Sequence, residues 1–229
     1  MTANDIAPSR FSVAKDIVDA LLIARDGYPV SIILFSGIPF VHVPFSTHTD
    51  AIRTKWMHTY LGQFPPVPQF VGTAIGDALL LSLSNLYNNN YGDGIIILMT
   101  DGDSNKGFEP ANVLTILKNH RIPVFAIGVG NPDPFVIGYD YFGGEISTSY
   151  DPLFLQEIPD ATGGQAWLMT NISQKESIVV SVVQAIQEKQ IHKSIVDYFF
   201  LNQILLIIII AYIVVITSTR VWVWIDKSG

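Results

Sequence analysis

Apolar and polar positions alternate along this chain with two periods. Phe11, Val13, Ala14, Ile17, Val18, Leu21 and Leu22 recur at helical spacing behind Pro8-Ser9-Arg10. They predict an amphipathic helix with Asp5 as its cap and Asp26-Gly27 as its stop. Val30 to Phe35 is a short apolar run of strand length. Gly37 allows a tight turn into Pro39–Phe45, where Phe40, His42 and Pro44 alternate with Val41, Val43 and Phe45. This pattern predicts a hairpin whose second strand lies at a sheet edge, where proline is tolerated. Helices are predicted over Thr49–Leu61, Thr73–Tyr87, Pro110–Asn119, Pro152–Ala161 and Ser173–Lys193. Strands are predicted over Gly94–Thr100, Pro123–Val129 and Gln165–Met169, the first two buried on both faces. Gly62–Gln69 reads as a proline-rich loop, and Phe135–Thr148 as an irregular, aromatic-rich hairpin. Strands that alternate with helices argue for a doubly wound α/β domain with a mostly parallel sheet and an antiparallel edge hairpin. In such a sheet the functional crevice lies at the carboxyl ends of the strands.

The periodicity fails at the C-terminus. Tyr198 to Ile216 is almost wholly apolar and offers no polar face. About 19 residues at helical rise reach about 28 Å, nearly the thickness of a hydrocarbon core. Tyr198, Trp222 and Trp224 flank the run as interfacial aromatics do. The expected organisation is a domain over residues 1–193, one transmembrane helix over 194–219 and a short tail over 220–229. Lys189 and Lys193 before the span balance Arg220 and Lys227 after it, so charge does not orient it.

Composition agrees with a membrane-tethered domain: of 229 residues, 49% are hydrophobic and only 14% charged. Net charge is −7 with no Lys/Arg cluster, which argues against a nucleic-acid partner. Cysteine is absent, so disulfides and thiolate metal sites are excluded. The five histidines, His42, His48, His58, His120 and His192, have no zinc spacing. No Gly-x-x-x-x-Gly-Lys loop and no nucleophile elbow occur. Asn171-Ile172-Ser173 is a formal glycosylation sequon.

Two segments carry candidate chemistry. Gly72-Thr73-Ala74-Ile75-Gly76-Asp77-Ala78-Leu79 places a threonine where a loop becomes a helix. Ile95-Ile96-Ile97-Leu98-Met99-Thr100-Asp101-Gly102-Asp103 ends an apolar strand in an aspartate, followed by Ser104 and Asn105. Both map to the carboxyl edge of the sheet. A hydroxyl and a carboxylate there suit a hard divalent cation that keeps several waters. The same two residues suit a helix cap and a loop turn equally well. Asp77, one turn into the helix, favours the positive helix end.

These segments, followed by Val124-Phe125-Ala126-Ile127-Gly128-Val129-Gly130, resemble the von Willebrand factor A domain in order and spacing over residues 1–190. Asp5-Ile6-Ala7-Pro8-Ser9-Arg10 and the apolar C-terminus resemble the bacterial membrane-anchored A-domain proteins of the Bat (aerotolerance) type. The resemblance implies a non-enzymatic, metal-ion-dependent adhesion site that binds Mg²⁺ (or Mn²⁺ or Ca²⁺). Thr73 and Asp101 would be ligands, and Asp103, Ser104 and Asn105 would form the partner-binding rim. It implies a protein partner presenting a carboxylate, and work beside other membrane A-domain proteins and a MoxR-type ATPase in envelope stress or aerotolerance. It also implies a place in the inner membrane with the domain on the extracytoplasmic side.

One departure stands out. The family's first ligand segment, Asp-x-Ser-x-Ser on the central strand, does not occur here. Without it the strands at Val30–Phe35 and Gly94–Thr100 are expected to lack a partner between them, and the metal to lack three usual ligands. Three accounts follow in order of preference: a start codon placed too late, a truncated and inactive gene, or a strand given by another chain. Two rival functions are an inactive domain with a structural role only, and a metal-dependent hydrolase acting through Asp101.

Overall fold

The computed structural model describes residues 3–24, 27–61, 67–101, 104–131, 135–139, 144–148 and 152–189. The chain divides into two compact units, Met1–Val183 and Gln184–Gly229, and the architecture below is that of the first. The expected membrane helix at 194–219 and the tail lie outside the described residues. Among those residues, no helix is long and apolar enough to cross a membrane.

The elements follow the order read from the pattern: α1 (Arg10–Ala24), β1 (Val30–Phe35), β2 (Pro39–Ser46), α2 (Thr49–Met57), α3 (Ile75–Asn88), β3 (Ile96–Thr100), α4 (Pro110–Asn119), β4 (Val124–Val129), β5 (Phe135–Tyr139), β6 (Glu145–Thr148), α5 (Pro152–Thr162) and β7 (Ala166–Met169). A final helix runs over residues 175–189. β3, β4 and β7 form a parallel sheet in that order. β1 and β2 form a separate antiparallel hairpin, and β5 and β6 another. Among the described residues β1 therefore pairs only with β2, and β3 only with β4, leaving one edge of each open where a strand between them was expected.

Alternation along the strands builds apolar clusters on either side of the hairpin. On one side Val30, Ile32 and Leu34 of β1 join Val43 of β2 against Leu22 of α1 and Ile52 and Trp56 of α2. On the other, Phe35 and Phe45 meet the larger cluster of Leu79, Leu83, Leu98, Leu114, Leu117, Val124 and Ile158, contributed by α3, β3, α4, β4 and α5. α3 thus packs under both the hairpin and the parallel sheet. Asn85 of α3 donates from Nδ2 to Ser31 Oγ at 2.9 Å, and Ser31 Oγ donates to the Val43 carbonyl at 2.7 Å, so the polar residue of β1 on this face is satisfied.

Several expectations need correction. β4 is buried along its whole length, as its apolar run implied, but β3 is not buried on both faces: Ile97 is 39% exposed. The reason is coverage. Among the described residues β3 has a strand neighbour on one side only, β4. α2 ends at Met57 rather than Leu61, and α3 begins at Ile75 rather than Thr73. Asp5 does not cap α1. The Ser12 N–H donates to Ser9 Oγ at 3.2 Å, which supplies the cap, while Asp5 turns to Arg10. The sequon asparagine, Asn171, caps a short 3-10 turn (Ile172–Gln174) in a reciprocal capping box.

Candidate metal and partner site

The carboxyl ends of β1, β3 and β4 converge with the start of α3. Ser36, just past β1, accepts the Ala74 N–H at 2.7 Å, so the residue before α3 is hydrogen-bonded to the hairpin. Upstream, the Lys106 ammonium donates to the carbonyls of Pro68 (3.1 Å), Gln69 (2.7 Å) and Val71 (3.2 Å). These bonds tie the turn before Thr73 to the loop after β3. Gly72 sits at φ +108°, a conformation L side chains rarely adopt, and a Cβ there would lie 2.8 Å from Asn105 Oδ1.

Thr73 itself is held by its main chain. Its N–H donates to Asn105 Oδ1 at 2.8 Å, and its carbonyl accepts the Asn105 N–H at 3.0 Å and the Ser104 hydroxyl at 3.3 Å. Among the described residues its side-chain hydroxyl has no hydrogen bond, so Thr73 does not cap α3. Ala74 occupies the cap position and has no side-chain oxygen to offer. Ser104 reaches across from the next loop, and its Oγ accepts the Ile75 N–H at 3.3 Å. A helix cap delivered from a distant loop locks α3 and the 104–105 loop together. That is a tertiary arrangement, and local sequence carries no signal for it.

Asp101 begins this loop directly after β3. Its carboxylate side chain is 18% exposed. Its main-chain carbonyl accepts a bond from Arg10 Nη1 at 3.0 Å, and its Oδ2 lies 3.8 Å from the same guanidinium nitrogen. Arg10 is fully buried and was not singled out by sequence reasoning. Its Nε donates to Asp5 Oδ1 at 2.7 Å and its Nη2 to Asp5 Oδ2 at 2.8 Å, a bidentate pair. Asp5 Oδ2 also accepts the Asn131 N–H at 3.0 Å, beyond the end of β4. Burial raises the Asp5 pKa, but the Arg10 hydrogen bond, the Asn131 N–H and the Arg10 charge outweigh it and hold the carboxyl below its ordinary value. The segment at residues 3–10, with Ala3 and Ile6 buried, is thereby sewn onto the carboxyl ends of β3 and β4.

The structure brings Ser104 and Asn105 onto Thr73 through hydrogen bonds, while Asp101 follows β3 directly and bonds to Arg10. Ser104 and Asn105 spend their oxygens on holding Thr73 and α3. Asp103 lies outside the described residues. Asp77, in the first turn of α3, accepts the Phe108 N–H at 2.8 Å and so anchors the same loop from below. Among the described residues no three His, Cys, Asp or Glu side chains gather as a cation cage. The donors at hand are one carboxylate and one unengaged hydroxyl. Nearby, Ser36 Oγ is buried without a hydrogen-bond partner among the described residues. That set fits a hard cation only as a partial shell, with waters and other groups completing it.

A model of the von Willebrand factor type A domain matches residues 3–136. Among solved structures, the conserved hypothetical protein BatB of Bacteroides thetaiotaomicron shares the fold with a TM-score of 0.70 at 24% identity, over 82% of this chain and 93% of that one. An aerotolerance-related membrane protein of Bacteroides fragilis, carrying multiple mutations to serines, gives 0.71 at 24% identity with the same coverage. Proximal thread matrix protein 1 of the mussel byssus, with a zinc-occupied MIDAS motif, gives 0.56 at 19% identity over 76% of this chain and 42% of that one. An uncharacterized protein of Borreliella burgdorferi is 21% identical over 215 residues, 82% of this chain. The chain spans 62% of the length of that curated relative.

Proposed function

The chain belongs to the von Willebrand factor type A domain family, and from that premise we propose that it is a metal-dependent protein-binding module tethered to a bacterial membrane. The observation that carries the reading is the state of Thr73. Both of its main-chain groups are fixed by Asn105, yet its hydroxyl has no hydrogen bond among the described residues. An unspent hydroxyl just before α3 and a partly exposed aspartate at the end of β3 are the kinds of oxygen donor that a hard cation takes.

Thr73 Oγ1 and the Asp101 carboxylate would hold Mg²⁺, Mn²⁺ or Ca²⁺. When bound, such an ion supplies a Lewis-acidic position that a partner carboxylate can complete. The chain's own groups do the rest. Asn105 and Ser104 hold Thr73 and the start of α3, while Arg10 holds the Asp101 main chain. Phe108 and Val71, 64% and 68% exposed on the flanking loops, offer apolar contact to a partner. The role is binding and not catalysis: Asp77, the carboxylate of α3 nearest in sequence to Thr73, is engaged by the Phe108 N–H rather than held as a base. By likeness to the aerotolerance-related proteins, the partners are other membrane A-domain proteins and a MoxR-type ATPase. The setting is the inner membrane, with the domain on the extracytoplasmic side and the span at 194–219.

Ligand that binds only the folded state raises its stability by about 2.7 kcal/mol at a hundredfold excess over Kd. For a domain of this size that is a rise of about 5–10 °C in Tm. The expected result is such a rise with Mn²⁺ or Mg²⁺ in the full chain, abolished by Asp101→Ala and reduced by Thr73→Ala. An unchanged Tm across millimolar metal would favour the rival reading, a domain with a structural role only. Metal-dependent turnover of a generic phosphate ester, lost in Asp101→Ala, would favour a hydrolase.

A further inference from the structure

β1 (Val-Ser-Ile-Ile-Leu-Phe) and β3 (Ile-Ile-Leu-Met-Thr) carry neither charge nor proline. Folded proteins ordinarily blunt an exposed strand edge with such residues. β2, on the other side of the hairpin, is blunted in that way by Pro39 and Pro44. Among the described residues β1 pairs only with β2, and β3 only with β4. β4, with a strand on each side, is buried along its whole length, whereas all six residues of β1 are only half-buried.

The same helices cover both edges. Val30, Ile32 and Leu34 cluster with Val18 and Leu22 of α1, and α1 also touches β4. Phe35, on the opposite face of β1, joins the cluster built by α3, β3 and β4. The hairpin and the parallel sheet are thus roofed and floored together, yet among the described residues no ladder joins them. At the end of β1, Ser36 Oγ is buried without a hydrogen-bond partner among the described residues. Unpaired polar groups in such a place are costly, and a strand laid between the two edges satisfies them.

We propose that the slot between β1 and β3 is a docking site for one extended segment, apolar on both faces and free of charge and proline. Its length is set by its neighbours, β3 with five residues and β1 with six. Its apolar faces are set by α1 on one side and α3 on the other. The segment comes from polypeptide outside these 229 residues, whose own apolar runs each lie in an element or in Tyr198–Ile216. The inference is independent of the metal reading.

The test tethers a strand to the full chain. Residues 3–10 are bonded at the carboxyl ends of β3 and β4, so an N-terminal extension starts from the mouth of the slot. A Val-Ile-Val-Ile-Val extension on a Gly-Ser linker is compared with Val-Ile-Pro-Ile-Val, which lacks a central N–H, and with the unextended chain. Amide hydrogen exchange is the readout. Exchange in both Val30–Phe35 and Ile96–Met99 is expected to slow about tenfold or more with the first extension, the weight of roughly one net hydrogen bond. The proline form is expected to exchange like the unextended chain. Protection of one edge alone overturns the proposal, since it marks a strand added to the outside of a sheet. Unchanged exchange at both edges overturns it, and so does equal protection by the proline form. If the extended chain does not stay monomeric, the two strands are added in trans as peptides flanked by lysines, and the same outcomes decide.

Discussion

Gly76→Ala tests whether α3 and the loop after β3 are one rigid body. Gly76 is the second residue of α3, and a Cβ built there would lie 2.0 Å from the Phe108 carbonyl oxygen and 2.8 Å from its carbon. The obstacle is backbone, so no side chain can rotate away. The loop is also pinned on both sides: Phe108 N–H donates to Asp77 Oδ1 at 2.8 Å, and Lys106 holds three carbonyls. Two effects oppose one another. Alanine gains at most about 1 kcal/mol of helix propensity over glycine. Overpacking a tight contact costs about 1–3 kcal/mol. With a fixed backbone partner the steric effect belongs near the top of its range, and a net loss of about 1–2 kcal/mol is expected. Thermal unfolding followed by circular dichroism should show Tm lowered by about 2–8 °C. The metal-dependent rise in Tm should shrink as well, since Ser104 and Asn105 move with the loop. A Tm equal to or above that of the wild type would refute the close approach, because propensity would then have gone unopposed.

Lys106→Met should lower Tm by several degrees, about 1.5–3 kcal/mol for the charge-assisted bonds that pin residues 68–71; an unchanged Tm would mean that water replaces the ammonium without cost. Leu117→Ala, at a fully buried position on α4, should cost about 2–5 kcal/mol in denaturant unfolding. The Asp5 pKa is lowered in the fold, so its contribution is complete above its unfolded value of 3.8 and is lost as pH falls toward the depressed folded value. Acid unfolding of Asp5→Asn should therefore be flatter than wild type below about pH 4. His42, whose ring accepts or donates to Thr59 Oγ1 at 3.0 Å, has its pKa lowered first by burial and then by the Lys55 charge. The unfolded chain binds the extra proton first, so stability should fall as pH drops below 6.5 and level off below the folded pKa. His42→Gln should remove that slope.

The order of elements was legible because each depends on local pattern. β1, α4 and the start of β4 match the apolar runs within a residue, and α4 opens at Pro110, where a missing N–H costs nothing. Thr73 and Asp101 stand out in the sequence because one lies where a loop becomes a helix and the other directly follows an apolar strand, positions that face the crevice of a parallel sheet. Their surroundings were not legible. Ser104 capping α3, Asn105 clamping Thr73 and Asp77 holding Phe108 all join residues some thirty positions apart. Arg10 lay further out of reach. In sequence it is the ordinary first residue of a helix, and only folding carries it 91 positions away, to the Asp101 carbonyl. Periodicity reports which face of an element avoids water, and that is enough to set the fold. Hydrogen-bond direction between distant loops depends on where those faces come to rest, and packing alone decides it.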